Sequence, residues 1–109
     1  MGITKSNLFS SEQNKLASMA KVLGHPARIA IIQHLLQANQ CINGDLVDEL
    51  GLAQATISQH LKELKQAGII KGTIGGTSMW YCINSEVWKE YQDAFNGLFD
   101  TYKEGKTCC

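Results

Sequence analysis

Four cysteines and three histidines are the side chains of this 109-residue chain best suited to nucleophilic or metal chemistry. Cys108 and Cys109 stand side by side at the end of the sequence. Adjacent cysteines seldom close a relaxed disulfide, because their sulfurs meet only through backbone strain. Two such thiolates can, however, hold one soft, thiophilic ion. Cys82 falls in a strand-like run and is expected to point into the core, where a free cysteine behaves as a small apolar side chain. Cys41 is expected to open the short third helix, and His25, His34 and His60 lack ligand spacing. There is no Cys-x-x-Cys, phosphate loop or nucleophile–base constellation. A small thiol oxidoreductase is therefore disfavoured, and the chain is not expected to be an enzyme.

A second group of residues suits recognition rather than reaction. Leu46, Val47 and Leu50, a turn at Gly51, then Ile57, Leu61 and Leu64 describe two short helices that share one apolar seam, the helix-turn-helix pattern. With that seam buried, the second helix presents Gln54, Ala55, Thr56, Ser58, Gln59 and Lys62. Gln can pair both polar atoms of the adenine edge, Ala and Thr methyls can meet thymine methyls, and Lys can take phosphate or guanine. A glycine-tipped hairpin follows, and its Lys71, Thr73, Thr77 and Ser78 would form a wing reaching the backbone or minor groove.

The elements that must position these residues can be read from the same pattern. Ser10 and Ser11 before Glu12-Gln13-Asn14 predict a helix start, with Leu8-Phe9 available as a hydrophobic staple. Gly24 ends that helix, and Pro26 suits the first turn of a second, nearly all-apolar helix over Pro26 to Ala38, expected to be the buried spine. A short third helix is predicted from about Asn43 or Gly44 to Leu50. A fourth runs over Gln54 to Ala67, closed by Gly68. Strands Ile69–Ile74 and Ser78–Ile83 turn around Gly75-Gly76-Thr77. Asn84 or Ser85 then caps a final helix to about Tyr102. The expected order is ααααββα: mostly α with a small β-hairpin wing, in one domain over residues 1–109.

Composition agrees with this outline. At 44% hydrophobic and 18% charged the chain is globular in character rather than disordered. No apolar run approaches the roughly 18 residues of a membrane span, and Met1 to Ser10 lack the layout of a secretory signal. The expectation is a cytoplasmic protein with reduced thiols rather than structural disulfides. The net charge is zero, yet it is unevenly spread. Residues 53–78 hold Lys62, Lys65 and Lys71 against Glu63 alone, whereas residues 84–104 hold five acidic side chains against Lys89 and Lys103. The middle of the chain can approach phosphate and the acidic last helix would face away.

Leu23-Gly24-His25-Pro26-Ala27-Arg28-Ile29-Ala30-Ile31 resembles the opening of the second helix in the ArsR-SmtB family of metal- and stress-sensing repressors. The run Leu50-Gly51-Leu52-Ala53-Gln54-Ala55-Thr56-Ile57-Ser58-Gln59-His60-Leu61-Lys62 resembles that family's recognition segment, and Ala67-Gly68-Ile69-Ile70 resembles the start of its wing. One departure is Ala53, where Ser often caps the recognition helix; the lost bond is worth about 1 kcal/mol. The resemblance implies a winged helix-turn-helix that binds double-stranded operator DNA as a homodimer built from its first and last helices. The aromatic residues Trp88, Tyr91, Phe95, Phe99 and Tyr102 of the last helix agree with such an interface.

The resemblance also implies an inducer. The last helix carries Asp93, Asp100 and Glu104 but no histidine, which argues against a zinc site there. His25 and His60 match family positions that look structural. Cys41 lies close to where thiol-sensing relatives carry Cys-x-Cys, although this chain reads Cys41-Ile42-Asn43. Trivalent arsenic, held by Cys41, Cys108 and Cys109, is the inducer the family favours. A thiol redox or sulfide sensor using some pair of these cysteines is the alternative.

Overall fold

Ile31, Leu35, Ile57, Leu64, Ile69 and Ile70 are the largest fully buried side chains, and the elements they belong to define the centre of the molecule. The computed structural model describes residues 8–43, 50–76 and 78–105. Its elements are α1 (Ser11–Leu23), α2 (Pro26–Ala38), β1 (Ile42–Asn43), α3 (Gln54–Gln66), β2 (Ile70–Gly75), β3 (Ser78–Ile83) and α4 (Ser85–Phe99). No helix among the described residues is long and apolar enough to cross a membrane.

Each helix starts where the local chemistry directs it. Ser10 caps α1 in a reciprocal box: its hydroxyl accepts from Gln13 N at 3.0 Å, while Gln13 Oε1 accepts from Ser10 N at 3.0 Å. The expected staple does not form, because Leu8 and Phe9 remain 72% and 53% exposed. Asn14 occupies the position a staple would use, and its amide donates to the Phe9 carbonyl. At α2, Pro26 opens the helix and His25 Nδ1 accepts from Ala27 N at 3.0 Å. Ala27, Ile31, Ile32 and Leu35 are buried, but Ile29 and Leu36 are exposed on the other face. The apolar spine is thus buried along one side only.

The change from α3 to β2 is made by one glycine. Gly68 has φ 85°, its N–H donates to the Lys65 carbonyl at 3.0 Å, and Ile69 N donates to the Leu64 carbonyl at 3.1 Å. This paired closure is a Schellman motif, and its usual apolar contact is supplied by Ile69 and Leu64, both fully buried. Immediately afterwards β2 runs antiparallel to β3, with Ile70 opposite Ile83 and Gly75 opposite Ser78. Gly75 is needed for space: a Cβ there would lie 2.9 Å from Cδ1 and Nε1 of the Trp80 ring.

The hairpin is one part of a three-stranded sheet of order β1-β3-β2. Asn39, left-handed at φ 52°, turns the chain out of α2. Ile42 and Asn43 then pair with Tyr81 and Trp80. Asn43 therefore sits in a strand with Cys41 just before it, so neither begins a helix, contrary to the expectation from sequence. The rest of the expected third helix, up to Leu50, lies outside the described residues; Leu50 itself packs against the core. The last helix ends at Phe99, three residues before the expected Tyr102.

Replacing Gly68 with Ala should destabilise the domain by about 1–2 kcal/mol, the cost of a side chain in the left-handed region. The new methyl would meet Val87 only at ordinary contact distance, 3.5 Å, so the loss would be one of backbone strain. A fall in the thermal midpoint with the far-ultraviolet spectrum unchanged is the expected result.

Candidate nucleic-acid interface and thiol pair

Helix α3 separates its residues cleanly. Ile57, His60, Leu61 and Leu64 are buried, while Gln54, Ala55, Thr56, Ser58, Gln59 and Lys62 are exposed. The 3.6-residue period makes this unavoidable once the first group is dry. Two of the exposed amides are restrained from the helix itself: Gln54 Nε2 donates to Ser58 Oγ at 3.2 Å, and Gln59 Nε2 donates to Glu63 Oε1 at 3.0 Å. Ala53 caps the helix without any side-chain bond, the loss expected from its sequence.

Polar contacts fix how this helix lies on α2. Arg28 Nε donates to His60 Nδ1 at 3.1 Å, Nη1 donates to the Val22 carbonyl at 3.2 Å, and Nη2 is ion-paired with Glu63. The rings of His25 and His60 lie 4.3 Å apart. His60 can accept from Arg28 only if its Nδ1 carries no proton. Burial lowers its pKa from the ordinary value, and the neighbouring His25 and Arg28 lower it further. The Gln59 hydrogen bond first, and Arg28 second, hold the Glu63 carboxyl below its ordinary range. Sequence reasoning passed over Arg28 and Glu63 as members of this junction. The signals available were Arg28 within the family-like segment that opens α2 and the four-residue spacing of Gln59 and Glu63.

The wing carries Lys71 and Thr73 exposed on β2, opposite Cys82 and Trp80 respectively. Thr77 lies outside the described residues. An unexpected feature is the apolar character of the wing: Ile74 is 77% exposed, and Trp80 is exposed beside Gly75. Composition alone gives no reason to place a large apolar side chain in solvent there.

The cysteines depart most from expectation. Because Ile42 opposes Tyr81, Cys41 falls opposite Cys82, and the two are joined in a disulfide with Cα atoms 4.4 Å apart. That separation is typical of the close pairs in an antiparallel ladder. Cys82 is thus half-buried in a covalent pair, not a free core thiol, and Cys41 is bonded to it rather than reserved for the tail. The expectation of thiols without disulfides fails at this pair. Cys108 and Cys109 lie outside the described residues. A cavity of about 300 Å³ opens beside the bond, lined by Leu35, Leu36, Asn39 and Ile83 among others. Among the described residues, no group of three His, Cys, Asp or Glu side chains is placed to hold a metal ion.

On the far side, Tyr91 is buried and Phe95 half-buried, while Leu98, Phe99 and Tyr102 are exposed, Phe99 to 67%. A cavity of about 550 Å³ lies between α1 and α4, with Leu16, Met19, Ala94 and Leu98 in its lining.

Comparison with known proteins gives a consistent picture. The model of the family described as bacterial regulatory protein, arsR family, matches residues 25–71. The HTH-type transcriptional repressor SmtB of Mycobacterium tuberculosis is 40% identical over 63 residues, 58% of this chain and 46% of that protein. The chain thus spans about half the length of that relative. An HTH-type transcriptional regulator of Methanocaldococcus jannaschii is 38% identical over 76 residues, covering 70% of this chain and 85% of that one. Among solved structures, a possible transcriptional regulator for arsenical resistance superposes with a TM-score of 0.66 at 21% identity, over 74% of this chain and 83% of that one. The shared fold is a winged helix-turn-helix.

The depressed His60 pKa sets a sign for acid stability. Its folded value lies below the ordinary 6.5 or so of an unfolded histidine, so the unfolded chain binds more protons between the two. The His60 contribution is complete above about pH 6.5 and is lost as pH falls through the folded value. Thermal midpoints should drop between pH 7 and 5, and His60→Gln should flatten that slope; an equal slope in the variant would remove His60 as its source.

Proposed function

Because the chain belongs to the ArsR family of DNA-binding transcriptional repressors, we propose that it binds a two-part operator as a homodimer and that the state of Cys41 and Cys82 decides whether it stays bound. The exposed polar face of α3 enters the major groove, with Gln54, Ala55, Thr56, Ser58 and Gln59 at base edges and Lys62 at phosphate or guanine. Lys71, Thr73 and Thr77 of the wing follow the backbone or minor groove. Helices α1 and α4 supply the dimer contact. The exposed Leu98, Phe99 and Tyr102 favour that arrangement.

The observation that carries the thiol control is the Cys41–Cys82 bond itself. A repressor works beside DNA in the cytoplasm, where a purely structural disulfide is not maintained. The reduced dithiol is then the resting, operator-bound form, and oxidation is the signal. In that step the two thiols and a low-molecular-weight disulfide give the protein disulfide and two small thiols. The bond closes a loop of sequence separation 41 that contains all of α3 and β2. It ties β1, which leads towards α3, to the strand that carries the wing, so the two DNA-contacting elements lose freedom relative to each other. Favouring the unbound arrangement by several kcal/mol is enough to empty the operator.

Trivalent arsenic is a second reading of the same pair. Once reduced, Cys41 and Cys82 present two thiols across neighbouring strands, and Cys108 or Cys109 would supply a third soft ligand.

Fluorescence anisotropy on the chain's own upstream DNA should show tight binding by the reduced protein and at least about tenfold weaker binding after oxidation. Cys41→Ser and Cys82→Ser should bind tightly in both conditions. Equal affinity of the oxidised and reduced wild type would exclude this control, whereas release by arsenite that survives Cys82→Ser but not loss of Cys108 and Cys109 would return the sensor to the tail. Sedimentation should give a wild-type dimer at micromolar concentration and a monomer for Phe99→Glu. The dimer should prefer half-sites about 34 Å apart, one helical turn.

A further inference from the structure

The Gln59 amide is not loose on the exposed face of α3. Its nitrogen donates to Glu63 Oε1 at 3.0 Å, one helical turn onward. The other carboxylate oxygen of Glu63 is ion-paired with Nη2 of Arg28. Arg28 is fixed in turn by its bonds to the Val22 carbonyl and to His60 Nδ1. A continuous line of polar contacts therefore runs from the buried junction of α2 and α3 out to one exposed amide.

The chemistry of that line has a direction. A carboxylate only accepts hydrogen bonds, so Gln59 can meet Glu63 only through its nitrogen. Its carbonyl oxygen and second N–H remain for whatever approaches the helix. A glutamine without such a partner keeps two free N–H donors and can turn over, so it can meet both acceptors of guanine through its donors or show either order to adenine. Held by Glu63, it offers its oxygen and second N–H in one order. Adenine shows a donor at N6 and an acceptor at N7 in the major groove, which complements an amide; guanine shows acceptors at both O6 and N7 and does not.

We propose that Glu63, anchored by Arg28, is a positioning residue for base recognition: it locks the Gln59 amide so that α3 selects adenine over guanine at one base pair of each half-site. The inference rests on the operator-binding reading and assigns to Glu63 a part in specificity beyond any contact with DNA of its own. The depressed pKa of Glu63 agrees with the role, since only the ionised carboxylate imposes a direction. Pairing with Arg28 also offsets a negative charge that would otherwise stand next to Lys62 and repel phosphate.

The experiment compares reduced full-length protein on the natural operator and on single-base-pair A·T to G·C replacements. Wild type should lose about tenfold or more in affinity at one position per half-site. Gln59→Ala should flatten that preference. Glu63→Gln, which keeps the size of the side chain but can either donate or accept, should flatten it at the same position, and the double variant should be no flatter than Gln59→Ala alone. If Glu63→Gln weakens natural and altered operators by one common factor and keeps their ratio, Glu63 is a strut between helices and the proposal fails. It also fails if Gln59→Ala leaves every base preference intact while wild type still binds its operator. Absence of operator binding by wild type would overturn the underlying reading and this inference with it. A measurement on the unmodified protein guards against a misfolded variant: the Gln59 side-chain amide proton held by Glu63 should exchange with water at neutral pH markedly more slowly than those of the exposed Gln92. Exchange as fast as that of Gln92 would contradict the lock.

Discussion

Arg28 carries a charge into the junction between two helices, and a charge held away from water must find partners there. It finds three, one from each direction: the end of α1 through the Val22 carbonyl, the buried face of α3 through His60, and its rim through Glu63. Ile31 and Leu35 of α2 join Ile57, Leu61 and Leu64 of α3 in one buried apolar cluster, but apolar packing is not directional. The directed bonds of Arg28 settle how α3 is rotated and set along α2. The restraint that reaches Gln59 through Glu63 follows from that setting.

The sheet forms a second frame on the same core. Its central strand, β3, serves two neighbours: β2, which completes the wing, and the two-residue β1, which brings Cys41 to Cys82. The Cys41–Cys82 bond therefore reaches a strand already bonded to the wing, and Lys71 stands opposite Cys82 in the register. Under the proposed thiol control, such a sensor would need no separate domain to reach the elements proposed to contact DNA. Charge is uneven along the chain, with Lys62, Lys65 and Lys71 in α3 and β2 and Glu86, Glu90 and Asp93 in α4.

What the sequence determined by itself is the set of features governed by near neighbours. The bounds of α2, Pro26 to Ala38, follow from a proline that suits a first turn and from the turn that ends the apolar run. The exposed face of α3 follows from the spacing of Ile57, Leu61 and Leu64, and its uncapped start follows from Ala53. The fold class and the family were legible for the same reason: several such local signals occur in an order that few folds share.

Tertiary structure decided whatever depends on residues far apart in the chain. The strand at Ile42–Asn43 is too short to show a period of its own and exists because β3 offers it an edge. Only that pairing makes partners of Cys41 and Cys82, which are separated by 41 residues. The link from Arg28 to Glu63 spans 35 residues and appears only when α2 and α3 pack. Leu8 and Phe9, placed to form a staple, stay in solvent because the facing position is Asn14, and Ile29 and Leu36 stay exposed because the core covers one side of α2. Local periodicity says which residues share a face; what that face meets is decided by how distant segments dock.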